Sequence, residues 1–206
     1  MILFIDTETT GKADFNKRAS DPSQPHIVQY AHVLCDDDLN EVETYQTLVT
    51  PNGWTIPEEA IDVHGITHER AAAEGIDEAE VAARFMANLL DASLLVGHNI
   101  QFDKFCMRVA CRRYGVLADD QAAWWSAFPQ ACTMRALTNV CRLPGPYGYK
   151  WPKLTEAYRH AFGREMTGAH DALADVRATV ELYRWMRNEG LAQVAAAAAP
   201  GGNVCR

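Results

Sequence analysis

No apolar run in this 206-residue chain approaches the roughly 20 residues a membrane helix requires. The opening MILFID is short and turns acidic too quickly for a signal peptide. These absences predict a cytoplasmic protein with no membrane partner. No C-x-x-C pair occurs either. The six cysteines, Cys35, Cys106, Cys111, Cys132, Cys141 and Cys205, stand apart and lack an export signal, so they read as free thiols rather than a disulfide framework. Positive charge is in short supply: 19 Lys and Arg face 27 Asp and Glu, a net charge of −8. That balance argues against broad electrostatic capture of nucleic acid. It leaves room for a local basic groove, or for a site whose acids are neutralised by metal. No internal repeat is visible.

What is present suits a globular domain. Hydrophobic residues make up 48% and charged residues 22%, close to the average for soluble proteins, and the length suits one domain with a sizeable core. Residues 2–6, 27–34 and 44–50 read as strands with short connections, which favours an antiparallel meander. A short helix follows at 56–64, ended by Gly65, and then an amphipathic helix carrying Val81, Phe85 and Leu89 inward, with Met86 and Leu90 beside them. Residues 93–99 form a fourth strand. A helix over about 101–114 turns Phe102, Phe105, Cys106 and Val109 inward. Beyond a Trp-containing loop come a short strand near 130–133 and helices from 133, over 153–162 and over 171–188, the last stopped by Gly190. This order predicts an α/β fold: a central mixed sheet of about five strands, three antiparallel and then parallel additions, flanked by helices. The end of the chain, AQVAAAAAPGGNVCR, is low-complexity, and 191–206 reads as a flexible Ala/Gly-rich tail.

Within FIDTETTG, residues 4–11, an apolar run stops at Asp6-Thr7-Glu8. A strand puts residues i and i+2 on one face, so Asp6 and Glu8 point together and repel. The pair persists if it is solvated, shares a proton or holds a cation. One D-x-E means little alone, but this one lies at the C-terminal end of the first strand, the edge where open α/β sheets place their sites. VGHNIQFDKF, residues 96–105, repeats the theme: a strand, a polar turn His98-Asn99, then Asp103 in the first turn of a helix, where the helix dipole alone favours an acid.

GAHDALADVRATVELYRWM, residues 168–186, supplies a third acidic element. Leu173, Val176, Val180 and Tyr183 form its inward face. Asp175 lies about 100° from Val176 and about 160° from Leu173, so it borders the core-facing edge. His170 and Asp175 diverge on a continuous helix. They converge if Asp171 caps the helix and His170 belongs to the preceding loop.

D-T-E-T-T-G after a first strand, H-N-x-x-F-D after a middle one and H-D-A-x-x-D opening a late helix resemble, in order, the three signature segments of the histidine-containing DEDD (DnaQ-like) 3′→5′ exonucleases. That superfamily includes the proofreading subunit of bacterial replicative DNA polymerase, ribonuclease T and the Trex-type exonucleases. The resemblance runs from about residue 2 to 187, and VHGIT (63–67) and KLTEAYRHAFG (153–163) are similar to further family segments. It implies a ribonuclease H-like fold, a single exonuclease domain over 1–190, and two divalent cations, Mg²⁺ or Mn²⁺, held by Asp6, Glu8, Asp103 and Asp175. In that scheme Asp6 bridges both ions, Glu8 and Asp175 complete the shell of the nucleophile-side ion, and Asp103 supports the other. The residues also make sense of hard cations, because oxygen ligands without clustered Cys or His suit Mg²⁺ or Mn²⁺ better than zinc.

Phosphodiester hydrolysis needs an activated water, a clamp on the phosphoryl oxygens and relief of charge on the departing 3′ oxygen, which two ions roughly 3.5 to 4 Å apart supply. His170 is the general base by the same resemblance, since histidine titrates near neutrality and such a group contributes about 10² to 10⁴ in rate. Thr9 and Thr10 are expected to meet the 3′ end, with His64, Ile66, Asn99 and Phe102 around the terminal nucleotides; for Ile66 and Phe102 a core role is the alternative. The expected substrate is single-stranded or frayed DNA, with proofreading, repair or end-trimming as the setting, and RNA trimming as the alternative within the same chemistry. A polymerase or another replication or repair protein is an expected partner, and monomer and homodimer both stay open.

Weaker signals remain. Lys104, Arg108 and Arg112, with Arg113 adjacent, read as a solvated helix stripe. YGYKWPK (147–153) mixes basic and aromatic residues and suits a strand-guiding loop. Trp124 and Trp125 fit either a core cap or a contact surface. The family's frequent glutamate and aspartate are replaced here by Gln29 and Cys132, which bears on substrate preference, and the polar loop 12–26 lies beside the site.

Overall fold

The computed structural model describes residues 1–192, so nearly all of the Ala/Gly-rich tail expected over 191–206 lies outside the described residues. Three strands come first: β1 (Ile2–Thr9), β2 (Ile27–Cys35) and β3 (Glu41–Leu48). Helices α1 (Glu58–His64), α2 (His68–Glu74) and α3 (Glu78–Asp91) lead to β4 (Leu94–Gly97) and α4 (Ile100–Arg113). Then come α5 (Ala122–Ala127), β5 (Gln130–Cys132), α6 (Thr133–Cys141), a small hairpin of β6 (Pro144–Gly145) and β7 (Gly148–Tyr149), α7 (Leu154–Phe162) and α8 (Ala172–Asn188). Among the described residues no helix is long and apolar enough to cross a membrane.

The main sheet has the order β3-β2-β1-β4-β5, antiparallel among the first three strands and parallel from β1 to β4 to β5. This is the expected five-stranded mixed sheet. Because β1 is central and covered on both faces, ILFI reads as a continuous apolar run instead of an alternating one. Leu3 and Ile5 join the cluster built by α3 and α4, including Phe85, Leu89 and Met107. Ile2 and Phe4 join the opposite cluster, with Val176, Leu182 and Tyr183 of α8.

Several elements differ from the sequence expectation. β1 continues to Thr9, three residues past the predicted stop, because its antiparallel pairing with β2 persists through Glu8↔Gln29 and Thr9↔Ile27. The third strand starts earlier, at Glu41, whose exposed carboxylate suits an edge strand. The short helix α2 was not expected: only Ala71 is buried in HERAAAE, so its apolar signal is thin, although Thr67 caps it through the Arg70 N–H. Leu90 lies on the exposed side of α3.

The stripe on α4 is not simply solvated. Lys104 is only 7% exposed; its Nζ donates to the Phe128 carbonyl at 3.3 Å and lies 5.9 Å from the Trp125 ring centroid. Arg112 pairs with Asp119 at 2.6 Å. Segment 114–129, expected as a loop, contains α5 and folds over this helix, burying Trp125 in the core while Trp124 stays at the rim. Arg113 turns inward, donating to Glu78, which is 1% exposed and also accepts from the Ile27 N–H at 2.9 Å.

Candidate active site

The pairing of β4 with β1 ends at Phe4↔Val96, while β1 runs on through Asp6, Thr7 and Glu8. From there one edge of β1 has no strand partner among the described residues. Asp103, in the first turn of α4, fills the gap: its Oδ1 accepts from the Thr7 N–H at 3.0 Å and from Thr7 Oγ1 at 2.8 Å. Asn99, left-handed at φ 74, makes the turn that lets α4 start at this edge. Asp6 and Glu8 alternate with Thr7 and belong to the face on which α8 packs.

The N-terminus of α8 is pinned to the sheet by polar contacts. Asp171 caps the helix through the Ala174 N–H at 3.1 Å, as its spacing predicts. Its other oxygen accepts from Gln46 Nε2 at 2.7 Å and Gln29 Nε2 at 3.4 Å, and Gln29 Oε1 accepts from the Ala172 N–H at 3.1 Å. A neutral amide at position 29 thus both donates to Asp171 and receives from the helix, which a carboxylate cannot do. His170 lies in the loop just before, left-handed at φ 70, a conformation uncommon for a residue with a Cβ. Its N–H donates to Asp175 Oδ2 at 3.4 Å.

Glu8, His170 and Asp175 offer ligand atoms that all lie within 4.8 Å of one another, a grouping able to hold a metal ion. The surrounding field is strongly negative. Burial first, and then Asp103, Asp175 and Glu8, push the Asp6 carboxyl well above its ordinary range. Burial, followed by Asp175 and Asp103, pushes Glu8 up to about 8. Burial lifts Asp103 to about 7 against the two Thr7 hydrogen bonds, and lifts Asp175 to about 6 against the His170 N–H and ring. Asp175 Oδ1 is buried without a hydrogen-bond partner among the described residues. Asp175 raises Asp6, Glu8 and Asp103 in turn, and such crowded carboxyl oxygens have the chemistry that suits a hard divalent cation. The residues therefore fit the cations that the resemblance implies.

The remaining sequence candidates are distributed around this edge. Thr9 is buried and its Oγ1 donates to the Gly11 carbonyl at 2.8 Å. Thr10 Oγ1 accepts from the His26 N–H at 3.0 Å, holding the start of the 12–26 loop to β2. His64 Nδ1 accepts from the Ile66 N–H at 3.0 Å, and its buried Nε2 has no partner among the described residues. Ile66 is 2% exposed and packs with Val28, Leu48 and Ala71, which is its core alternative. Phe102 is partly buried against the α3–α4 cluster. Sequence reasoning missed Thr7 and Gln46 as partners of Asp103 and Asp171. Each pairing spans about a hundred residues or more, and no local pattern announces it.

Residues 3–183 match the family model RNase_T, described as exonuclease. The chain is 32% identical over 192 residues to the uncharacterized exonuclease CP81 of Escherichia phage 186, covering 92% of this chain and 90% of that protein. It is 28% identical over 182 residues to the DNA polymerase III subunit epsilon of Aquifex aeolicus, covering 88% and 77% of the two chains. The crystal structure of E. coli exonuclease I in complex with a dA16 oligonucleotide superposes with a TM-score of 0.73 at 23% identity. That match covers 94% of this chain, which spans only 42% of exonuclease I, and it gives the two the same fold.

Proposed function

The chain belongs to the RNase_T exonuclease family, and on that premise we propose that it is a Mg²⁺- or Mn²⁺-dependent 3′→5′ exonuclease releasing nucleoside 5′-monophosphates from single-stranded or frayed DNA ends. The observation that carries this reading is the meeting of acids from three distant segments, Asp6 and Glu8 on β1, Asp103 on α4 and Asp175 on α8, beside the His170 ring. Residues 1–190 act as one exonuclease domain in this reading.

When bound, a pair of divalent cations supplies a more acidic water and neutralises charge on the phosphate and the departing 3′ oxygen. Asp6, Glu8, Asp103 and Asp175 would hold the pair, and Thr7 fixes the rotamer of Asp103 through two hydrogen bonds. His170 takes the proton of the attacking water through a ring nitrogen beside Glu8 and Asp175. The Asp171, Gln29 and Gln46 contacts keep the His170 loop against the sheet. The N-termini of α4 and α8 both open at this edge, where helix dipoles favour a phosphate.

DNA is the proposed polymer because a similar fold, that of E. coli exonuclease I, binds a deoxyadenosine oligonucleotide. The likeness to a polymerase III subunit supports a replication or repair setting, with a polymerase as partner and a cytoplasmic location. Matched DNA and RNA oligonucleotides labelled at the 5′ end, incubated with Mn²⁺, test the reading. The expected result is a ladder shortening from the 3′ end, faster on DNA. No shortening of either polymer contradicts it.

A further inference from the structure

Residues 121–155 contain no Asp or Glu in a chain that has 27 of them, yet carry Arg135, Arg142, Lys150 and Lys153. In the middle of this segment the β6–β7 hairpin pairs Pro144 with Tyr149 and Gly145 with Gly148, leaving Pro146-Tyr147 as the turn. Proline fixes φ at the first turn position, so the tip is stiff and displays Tyr147 entirely to solvent. Tyr149 and Trp151 follow, 52% and 44% exposed. Three large aromatics open to water within five residues have no packing explanation, because the hairpin contributes nothing to the described core clusters.

The hairpin is tied to the active edge. His98, in the turn just after β4, hydrogen-bonds the Pro152 carbonyl through Nε2 at 2.9 Å and Thr133 Oγ1 through Nδ1 at 2.9 Å. A carbonyl only accepts, so Nε2 carries the proton. His98 directly follows β4, whose parallel pairing with β1 reaches Phe4↔Val96, two residues short of Asp6. With strands about 5 Å apart, the base of the hairpin lies within a strand or two of the acids. Arg135 reaches the same surface: its guanidinium lies 5.7 Å from the Trp151 ring centroid, and its buried Nε has no partner among the described residues. Lys150 is paired with Glu156 at 2.6 Å, so Arg135, Arg142 and Lys153 carry the uncompensated charge.

We propose that this hairpin is a docking platform for the single strand upstream of the scissile terminus, its bases stacking on Tyr147 and Trp151 and its phosphates meeting Arg135 and Lys153. The proposal rests on the exonuclease reading above and adds to it the surface that reads strand length. Positive charge beside exposed aromatic faces is the chemistry that recognises single-stranded nucleic acid without regard to base, and a local cationic field in a net acidic chain complements a polyanion.

The test measures binding of oligothymidylates of 3 and 12 nucleotides by fluorescence anisotropy, using the full chain in chelator. Wild type is expected to favour the 12-mer strongly. Tyr147→Ala and Trp151→Ala should each weaken 12-mer binding on the order of tenfold, with little change for the 3-mer. Tyr147→Trp should keep the wild-type preference, and Lys153→Ala should reduce the salt slope of 12-mer binding by about 0.7. Equal 12-mer affinity in wild type, Tyr147→Ala and Trp151→Ala overturns the platform. Tyr147 is exposed at a turn, so a folding failure does not obscure its result. Turnover of the p-nitrophenyl ester of thymidine 5′-monophosphate by wild type with Mn²⁺ separates the two claims. Ester turnover with no effect of the hairpin variants sinks only the platform; no ester turnover sinks the exonuclease reading beneath it.

Discussion

Asp103 Oδ1 takes two hydrogen bonds from one residue, the Thr7 N–H at 3.0 Å and Thr7 Oγ1 at 2.8 Å, although 96 positions separate the two in the chain. The contact exists because β4 stops pairing with β1 before Thr7, so a buried backbone donor needs another acceptor. Removing the hydroxyl while keeping the branched shape, Thr7→Val, is expected to weaken Mn²⁺ affinity and activity roughly 10- to 100-fold. Thr7→Ser should stay close to wild type. Metal titrations of the two variants, read by calorimetry, check this.

The Asp171 cap has a separable role in stability and in turnover. Asp171→Ala loses the hydrogen bond to the Ala174 N–H and the contacts to Gln29 and Gln46. Melting should fall by about 3 °C, and turnover should fall more than ground-state DNA binding, because the His170 loop is released. Asp171→Asn keeps a capping oxygen and should recover most of the melting temperature. Thermal melts and single-turnover kinetics on the two proteins distinguish the contributions.

The crowded acids make the metal-free protein sensitive to pH. Glu8 is pushed up to about 8, Asp103 to about 7 and Asp175 to about 6, and Asp6 is raised too. Folded carboxyls with raised pKa hold protons that the unfolded chain releases, so stability in chelator is highest at mildly acidic pH. It declines as pH rises between roughly 4 and 8. Melts in chelator should give a lower midpoint at pH 8.5 than at pH 5.5, and Mn²⁺ at pH 8.5 should restore much of the difference.

Glu78 behaves in the opposite sense. Burial alone would raise its carboxyl, but hydrogen bonds from His26 and the Ile27 N–H, with the charge of Arg113, hold it below the usual range. Its contribution is present above the unfolded carboxylate pKa and is lost as pH falls through the lower folded value. Arg113→Met leaves this buried charge without its main counterion and should cost about 3 kcal/mol at neutral pH. The deficit should shrink at acidic pH, where Glu78 takes a proton. Urea denaturation at pH 7 and pH 4 measures both.

The sheet and the acids were legible because both write local patterns. ILFID, IVQYAHVL and SLLVG are compact apolar runs; the first acidic motif sits at the C-terminal end of β1, and the other two open helices α4 and α8. Helix geometry favoured Asp171 as a cap with His170 in the preceding loop, and the structure has both. What stayed hidden depends on distant partners. Lys104 looks like a surface cation until α5 folds over it. Thr7 and Gln46 carry no local mark of their partners. The β6–β7 hairpin has two residues per strand, too few for alternation to register.

The most direct measurement is mononucleotide release from a single-stranded DNA oligonucleotide with Mn²⁺, wild type beside Asp6→Asn, with chelator added midway. Wild type should release nucleoside 5′-monophosphates one at a time from the 3′ end and stop when chelator is added, and Asp6→Asn should release almost none. Undiminished release by Asp6→Asn, or release that continues after chelation, would contradict the metal-dependent mechanism.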